Sequence, residues 1–285
     1  MTPSRAQQIK KERMEKLIRD LEESLKKPKG KTSEEKKETS EQIILPAENN
    51  PEEFIFLQGK THKDYSYPDT LVSMNRLGMS PEVEKVGKEL GYNLSNTAKE
   101  SSGRDYIGNI NWKNGLTLNL KLGGLTLSPR QFEDFILLLK SGNALDGTGK
   151  KIPESKLTEI LDEITEVREP WRAEWLDADF KYATNKLWIY SSHLLDTNGN
   201  LNPNYKKELE TCLMTKGTKI NLRTMNHQGM PIEAGDDFYY WCPDKDNSSV
   251  ARFVADSDWV FLICGRNPQD VYPSLGVRFA SFQRS

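Results

Sequence analysis

The stretch 250–264, Val-Ala-Arg-Phe-Val-Ala-Asp-Ser-Asp-Trp-Val-Phe-Leu-Ile-Cys, changes the phase of its apolar alternation halfway along. Ala251, Phe253 and Ala255 share one strand face. Beyond Asp256-Ser257-Asp258 the inward apolar set becomes Val260, Leu262 and Cys264. Side chains alternate with period 2, so a one-residue phase change requires a bulge or a tight turn between two strands. The other face carries Arg252, Val254, Asp256 and Asp258, then Trp259, Phe261, Ile263 and Gly265. A solvated strand face usually carries Lys, Glu and Thr; exposed Trp, Phe and Ile together mark a binding patch. A strand buried on both faces gives the same letters, with Asp256 and Asp258 then in a loop.

The elements around this stretch define an α+β class. Ser80 and Pro81 open a helix carrying Val83, Val86 and Leu90, which Gly91 stops. Ser128-Pro129 opens a second, with Gln131 at the capping-box position and Phe132, Phe135, Ile136 and Leu139 on its apolar face. A third starts near Pro153 and repeats Leu157, Ile160, Leu161, Ile164 and Val167 at a period of 3.6. Strands are expected at Phe54–Leu57, Leu116–Leu122 (alternating), Leu187–Tyr190, Lys219–Leu222 and Phe238–Trp241. Asn198-Gly199 centres a turn, and a short helix is expected over 205–216. No β-α-β alternation with a Gly-rich phosphate loop occurs, which argues against a doubly wound nucleotide fold.

Residues 1–46 read as a separate charged tail, helical or disordered. Its first 45 residues hold no aromatic residue and carry 12 Lys/Arg against 9 Asp/Glu. Met14, Ile18, Leu21 and Leu25 form a narrow helical stripe of about two heptads, marginal in isolation. The tail is either a frayed helix with a linker or a helix that docks on a partner or on its own copy. The remaining residues, 47–285, read as one domain with a net charge of −2 − 3 = −5. That charge argues against bulk nucleic-acid binding. With a mean hydropathy of −0.70 and no apolar run near 18 residues, no membrane span is expected. The N-terminus lacks a signal-like apolar region, and a cytoplasmic protein is expected.

Constellations for chemistry are thin. His62, His193 and His227 lie far apart, and the cysteines Cys212, Cys242 and Cys264 match no zinc or redox spacing. Asp196, Asn198 and Asn200 start like a calcium loop, but Leu201 and Lys207 stand where it needs Gly and Glu. Asp177 and Asp179, beside Trp171 and Trp175, form a carboxylate pair suited to fixing a turn. No nucleophile elbow or zincin motif occurs. No enzyme, metal or cofactor is expected.

Three segments carry a resemblance: Asn247 to Phe253 (Asn-Ser-Ser-Val-Ala-Arg-Phe), Cys264-x-Arg266-Asn267-Pro268, and Ser274-Leu275-Gly276-Val277-Arg278. Together they resemble the C-terminus of the variable proteins of diversity-generating retroelements, the archaeal group in particular. Trp175-Leu-Asp-Ala-Asp-Phe180 and the Asn198-Gly199 turn are similar to that group too. The resemblance implies a C-type lectin fold, in the variant shared with formylglycine-generating enzymes. It implies two main helices on a small irregular antiparallel sheet, with a variable region at about 250–279. In such systems a reverse transcriptase misreads template adenines, turning AAY codons into NNY. Val254, Asp256, Asp258, Phe261, Ile263, Gly265, Asp270, Val271 and Tyr272 all have NNY codons, and Trp259 is one A-to-T step from AGG. Lys, Glu and Met are absent from 250–279. Gln269 cannot arise from AAY and reads as scaffold, as do Ala251, Phe253, Val260, Leu262, Leu275 and Val277.

The expected function is therefore display. Val254, Asp256, Asp258, Trp259, Phe261, Ile263, Gly265, Asp270, Val271 and Tyr272 should form one contiguous exposed surface. It would bind an unknown protein or other macromolecule without catalysis. The alternatives are a formylglycine-generating-enzyme-like oxidoreductase, a calcium-dependent sugar lectin and a purely structural domain. The first needs a close pair of reactive cysteines. The second needs a Glu-Pro-Asn or Gln-Pro-Asp tripeptide and a Trp-Asn-Asp tripeptide, which the chain lacks.

Overall fold

The computed structural model describes residues 50–245 and 248–283. The tail reading for 1–46, and the contribution of Asn247 to the resemblance, lie outside them. The described residues are α+β. A three-stranded sheet joins β1 (Phe54–Leu57), β4 (Thr70–Arg76) and β15 (Arg278–Phe282) in the order β1-β4-β15. Two small hairpins flank it in sequence, β2 (Lys60–His62) with β3 (Tyr65–Tyr67), and β5 (Asn96–Lys99) with β6 (Asp105–Ile107). The main sheet has eight strands. They are β7 (Arg172–Ala183), β8 (Lys186–Leu195), β9 (Leu201–Glu208), β10 (Lys216–Ile220), β11 (Phe238–Trp241), β12 (Ser249–Ala255), β13 (Val260–Arg266) and β14 (Leu275–Gly276). Its order is β10-β11-β13-β12-β7-β8-β9, with β14 beside β7. This corrects the expected small antiparallel sheet: the sheet is large, and the β11–β13 and β14–β7 pairings are parallel.

Four helices accompany the sheets: α1 (Pro81–Glu89), α2 (Trp112–Lys121), α3 (Pro129–Lys140) and α4 (Glu154–Thr165). The Ser80 side chain accepts from the Val83 N–H at the start of α1. Ser128 and Gln131 close a reciprocal capping box on α3. The apolar faces of α3 and α4 lie in the main core with Phe180, Phe253 and Leu262 of the sheet. Phe253 sits 5.0 Å from Phe132 and 5.1 Å from Phe238, centroid to centroid.

Two local expectations are overturned. Leu116–Leu122 lies in α2 and its cap, not in a strand. At 100° per residue, Leu116 and Leu118 point 200° apart, to opposite faces of a helix. Each face has its own core: Leu116 packs with Trp112 and Trp175, while Leu118 and Leu122 pack with Phe54, Ile107 and Phe279. Alternation here means a helix covered on two sides. The Asn111 side chain caps it, accepting from the Asn114 N–H at 2.9 Å. The expected helix over 205–216 is absent: 205–208 end β9, which pairs with β8 from Leu195–Leu201 to Trp188–Glu208, and 209–215 form an irregular connection to β10. The turn at Asp196–Asn200 returns the chain against β8, and that pairing overrides the helix propensity of Lys206-Lys207-Glu208-Leu209.

Strand β7 is the central plank. Its first nine residues are all buried, with Ala173 and Trp175 on one face and Leu176, Ala178 and Phe180 in the main core. Three arginines and three glutamates are buried around its start and join it to β4 and β15: Arg76, Arg172, Arg278, Glu100, Glu163 and Glu174. Arg278 binds Glu174 through Nε at 2.8 Å and donates to the Ser73 and Met74 carbonyls at 2.9 and 2.8 Å. No described helix is long and apolar enough to cross a membrane.

Candidate ligand-binding site

The site is built on the β12–β13 hairpin. Phe253 pairs with Leu262, Val254 with Phe261, and Ala255 with Val260. The Asp256 N–H donates to the Trp259 carbonyl at 2.9 Å, closing a tight turn around Ser257-Asp258. Odd positions of β12 thus stand opposite even positions of β13, the physical origin of the phase change. Asp256 Oδ1 accepts the N–H groups of Asp258 and Trp259, at 3.0 and 2.8 Å. This carboxylate therefore shapes the turn itself.

The face away from the main core carries a row of rings. Trp259 meets Tyr239 edge-on at 4.6 Å; Tyr239 lies 5.6 Å from Phe261, which lies 6.5 Å from Trp241. The parallel pairing of β11 and β13 sets this row by aligning Tyr239 with Phe261 and Trp241 with Ile263. Beside it, Trp171 meets Tyr272 at 5.3 Å. Between the rings lies a concavity of about 370 Å³ lined by Val254, Asp256, Phe261, Ile263 and Tyr272 with Trp171, Trp241, Arg252 and Arg266. An adjoining one is lined by Gly265 and Asp270, and the two share Arg266.

Seven of the ten expected positions thus meet at two adjoining hollows: Val254, Asp256, Phe261, Ile263, Tyr272, Gly265 and Asp270. Trp259, 47% exposed, continues the surface through Tyr239. Asp258 is exposed on the turn and Val271 on the loop beside Tyr272. The expectation of a fully exposed set is corrected at two positions. Val254 and Ile263 are only 4% and 3% exposed. They pack with Val250, Trp175 and Leu275, partly under Trp171, Trp241 and Phe261, and form the floor. Gly265 is also constrained: a Cβ there would stand 2.9 Å from the Cys242 carbonyl oxygen, so a larger residue requires a backbone shift.

The loop after β13 is held by its backbone. Pro268 O accepts from Trp112 N–H at 3.2 Å, Tyr272 O from Asn109 N–H at 2.8 Å, and Pro273 O from the Thr97 hydroxyl at 2.8 Å. Asn267 Oδ1 accepts the Gln269 N–H at 2.9 Å. Trp112 and Trp175 tie the support together, their indole N–H groups donating to Leu176 O and Ile110 O at 2.8 Å. The side chains of Asp270, Val271 and Tyr272 make none of these bonds.

Sequence reasoning missed Trp171, Trp241 and Arg266 as lining residues. Phe238-Tyr239-Tyr240-Trp241 did hold a signal, since period 2 puts Tyr239 and Trp241 on one face. Trp171, arriving from before β7, had none. Arg252 is 5% exposed, and its Nε and Nη1 have no hydrogen-bond partner; Arg266 Nε is likewise buried and unpaired. Asp270 stands 3.9 Å from Arg252 Nη1, beyond hydrogen-bond reach. Burial, then the nearby Arg266 charge, pull the Arg252 pKa down to about 10. Arg252 packs against Trp171 and Tyr272 at 5.4 and 5.9 Å, Arg266 against Trp241 at 5.8 Å. Such cation–π contact offsets part of the desolvation.

The other constellations resolve into structural bonds. Asp177 binds the ring and backbone N–H of His193, both buried, with Trp112 against the imidazole. Asp179 pairs with Lys181. Asp196 folds its carboxylate onto the N–H groups of Asn198 and Asn200. Burial raises the thiols of Cys212, Cys242 and Cys264, Cys212 to about 11. A nucleophilic cysteine needs the thiolate, which burial disfavours here. No known family, curated protein or solved structure matches this chain.

Proposed function

We propose that the described domain is a ligand-display protein, with a C-type lectin fold, of the kind encoded by diversity-generating retroelements. Its surface over about 250–279 is diversified by adenine-specific mutagenic retrohoming and binds a protein or other macromolecule without catalysis. The observation that carries this reading is the division of labour in the loop 267–273. Backbone atoms and the Asn267 side chain fix the loop, while the side chains of Asp270, Val271 and Tyr272 extend into or beside the two hollows. A paratope works this way, with varied side chains on an unvarying backbone and aromatics supplying contact area at low entropic cost. Asp256 fits as well: Asn, its template-state residue, would keep the acceptor that the turn requires.

The reading is tested with a library carrying NNY codons at Asp258, Trp259, Asp270, Val271 and Tyr272. Most members should fold, with thermal midpoints within a few degrees of the parent. Panning against unrelated proteins should return binders that differ only at these positions. A library that mostly fails to fold would contradict the display function.

A further inference from the structure

Among the described residues, Arg252 and Arg266 stand out at the floor and seam of the two hollows. Neither belongs to the ten positions expected to vary. A buried guanidinium with unpaired N–H groups is costly unless something accepts from it. Arg252 Nε and Nη1 and Arg266 Nε have no hydrogen-bond acceptor, Nη1 making only a long ion pair with Asp270 at 3.9 Å, beside a concavity walled by Trp171, Trp241, Phe261 and Tyr272. We propose that this pair is a fixed anchoring subsite for a carboxylate, presented by an acidic side chain on an apolar segment of the partner protein.

The charges favour a monoanion. Asp270, 3.9 Å from Arg252, answers part of the charge of the two guanidiniums, which leaves about one positive charge for a ligand to meet. A dianionic phosphate would exceed that; a carboxylate matches it and takes two N–H donors in its plane. The volume, about 370 Å³, suits one side chain and its neighbours, while the rings cover the apolar stem. The diversified rim would then choose among partners, and the arginines would supply a contact common to all of them. This inference rests on the display reading for the nature of its partner, but the subsite itself is testable without that partner.

The probes are phenylacetate, its neutral isostere phenylacetamide, and phenyl phosphate, titrated into the full chain. Tryptophan fluorescence is read together with the arginine Nε–H resonances. Phenylacetate should bind saturably with a Kd of millimolar order, shifting the Arg252 and Arg266 signals. Phenylacetamide should bind at least about tenfold more weakly, and phenyl phosphate no more tightly than phenylacetate. Arg252→Gln should abolish phenylacetate binding with the thermal midpoint retained. Arg266→Gln, at a more open position, should weaken it about tenfold and covers the case in which the first variant misfolds. Equal binding of the amide, tighter binding of phenyl phosphate, or no saturable binding of phenylacetate would each overturn the subsite. None of these would touch the display reading, whose failure shows instead in the library or in the flanking DNA.

Discussion

Glu174 sits between Arg172 Nη2 and Arg278 Nε, each at 2.8 Å, with all three side chains buried. Burial alone would raise its pKa; the two guanidiniums outweigh burial and hold it at about 2. The folded value lies below the ordinary 4.5, so this stabilisation is complete above about pH 4.5 and fades as the pH falls toward 2. Glu174→Gln should cost roughly 3–5 kcal/mol, because it strands two buried cations. Urea unfolding at pH 7 and pH 4 should show the variant losing less stability on acidification than the parent. An unchanged acid limb would show that Glu174 does not link β7 to β15 as described. At the site, Val271→Asn should alter stability by no more than about 0.5 kcal/mol, and Tyr272→Asn, which gives up the ring contacts with Trp171 and Arg252, by about 1 kcal/mol. Val254→Asn should cost about 2 kcal/mol or more, since it buries an amide under the rings. Gly265→Asn should also destabilise, because its Cβ meets the Cys242 carbonyl. Chemical denaturation of the four variants separates rim from floor, and equal losses across all four would remove that distinction.

The β12–β13 hairpin ranks its residues by role rather than by exposure. Asp256→Ala removes the acceptor for two turn N–H groups and should cost about 1 kcal/mol, while Asp256→Asn should be nearly neutral. Thermal melts of the pair decide this, and equal losses would mean that the side-chain oxygen does not hold the turn. The hairpin was legible because its alternation broke at the turn. Helices α1 and α3 were legible because capping residues and apolar spacing agreed, and α4 from its apolar spacing alone, although Val167, expected on that stripe, lies beyond the helix end and is exposed. Helix α2 was not, since a helix packed on two faces spreads its leucines so that they mimic a strand. Strand β9 was not, since its conformation comes from pairing with β8. Burial of Val254 and Ile263 depends on Trp171 and Trp241, which lie outside the hairpin, so the pleat alone could not reveal it.

Across the domain, a buried charge network and three apolar clusters carry the fold, and the proposed recognition residues lie on one face of the interior strands β12 and β13 of the main sheet and on the loop that follows β13. The eight-stranded sheet and its parallel pairings exceed what the resemblance implied. The central claim is that this face is a surface rewritten by templated adenine mutagenesis. Sequencing the DNA that flanks the gene tests it most directly. The account predicts a near-copy of the stretch encoding residues 250–278, beside a reverse transcriptase gene. The copy should differ at adenines alone, with those differences falling on codons such as those of Asp258, Trp259, Asp270, Val271 and Tyr272. Flanking DNA without such a repeat, or a repeat whose differences are spread over all four bases and over the codons of Phe253 and Leu262, would contradict it.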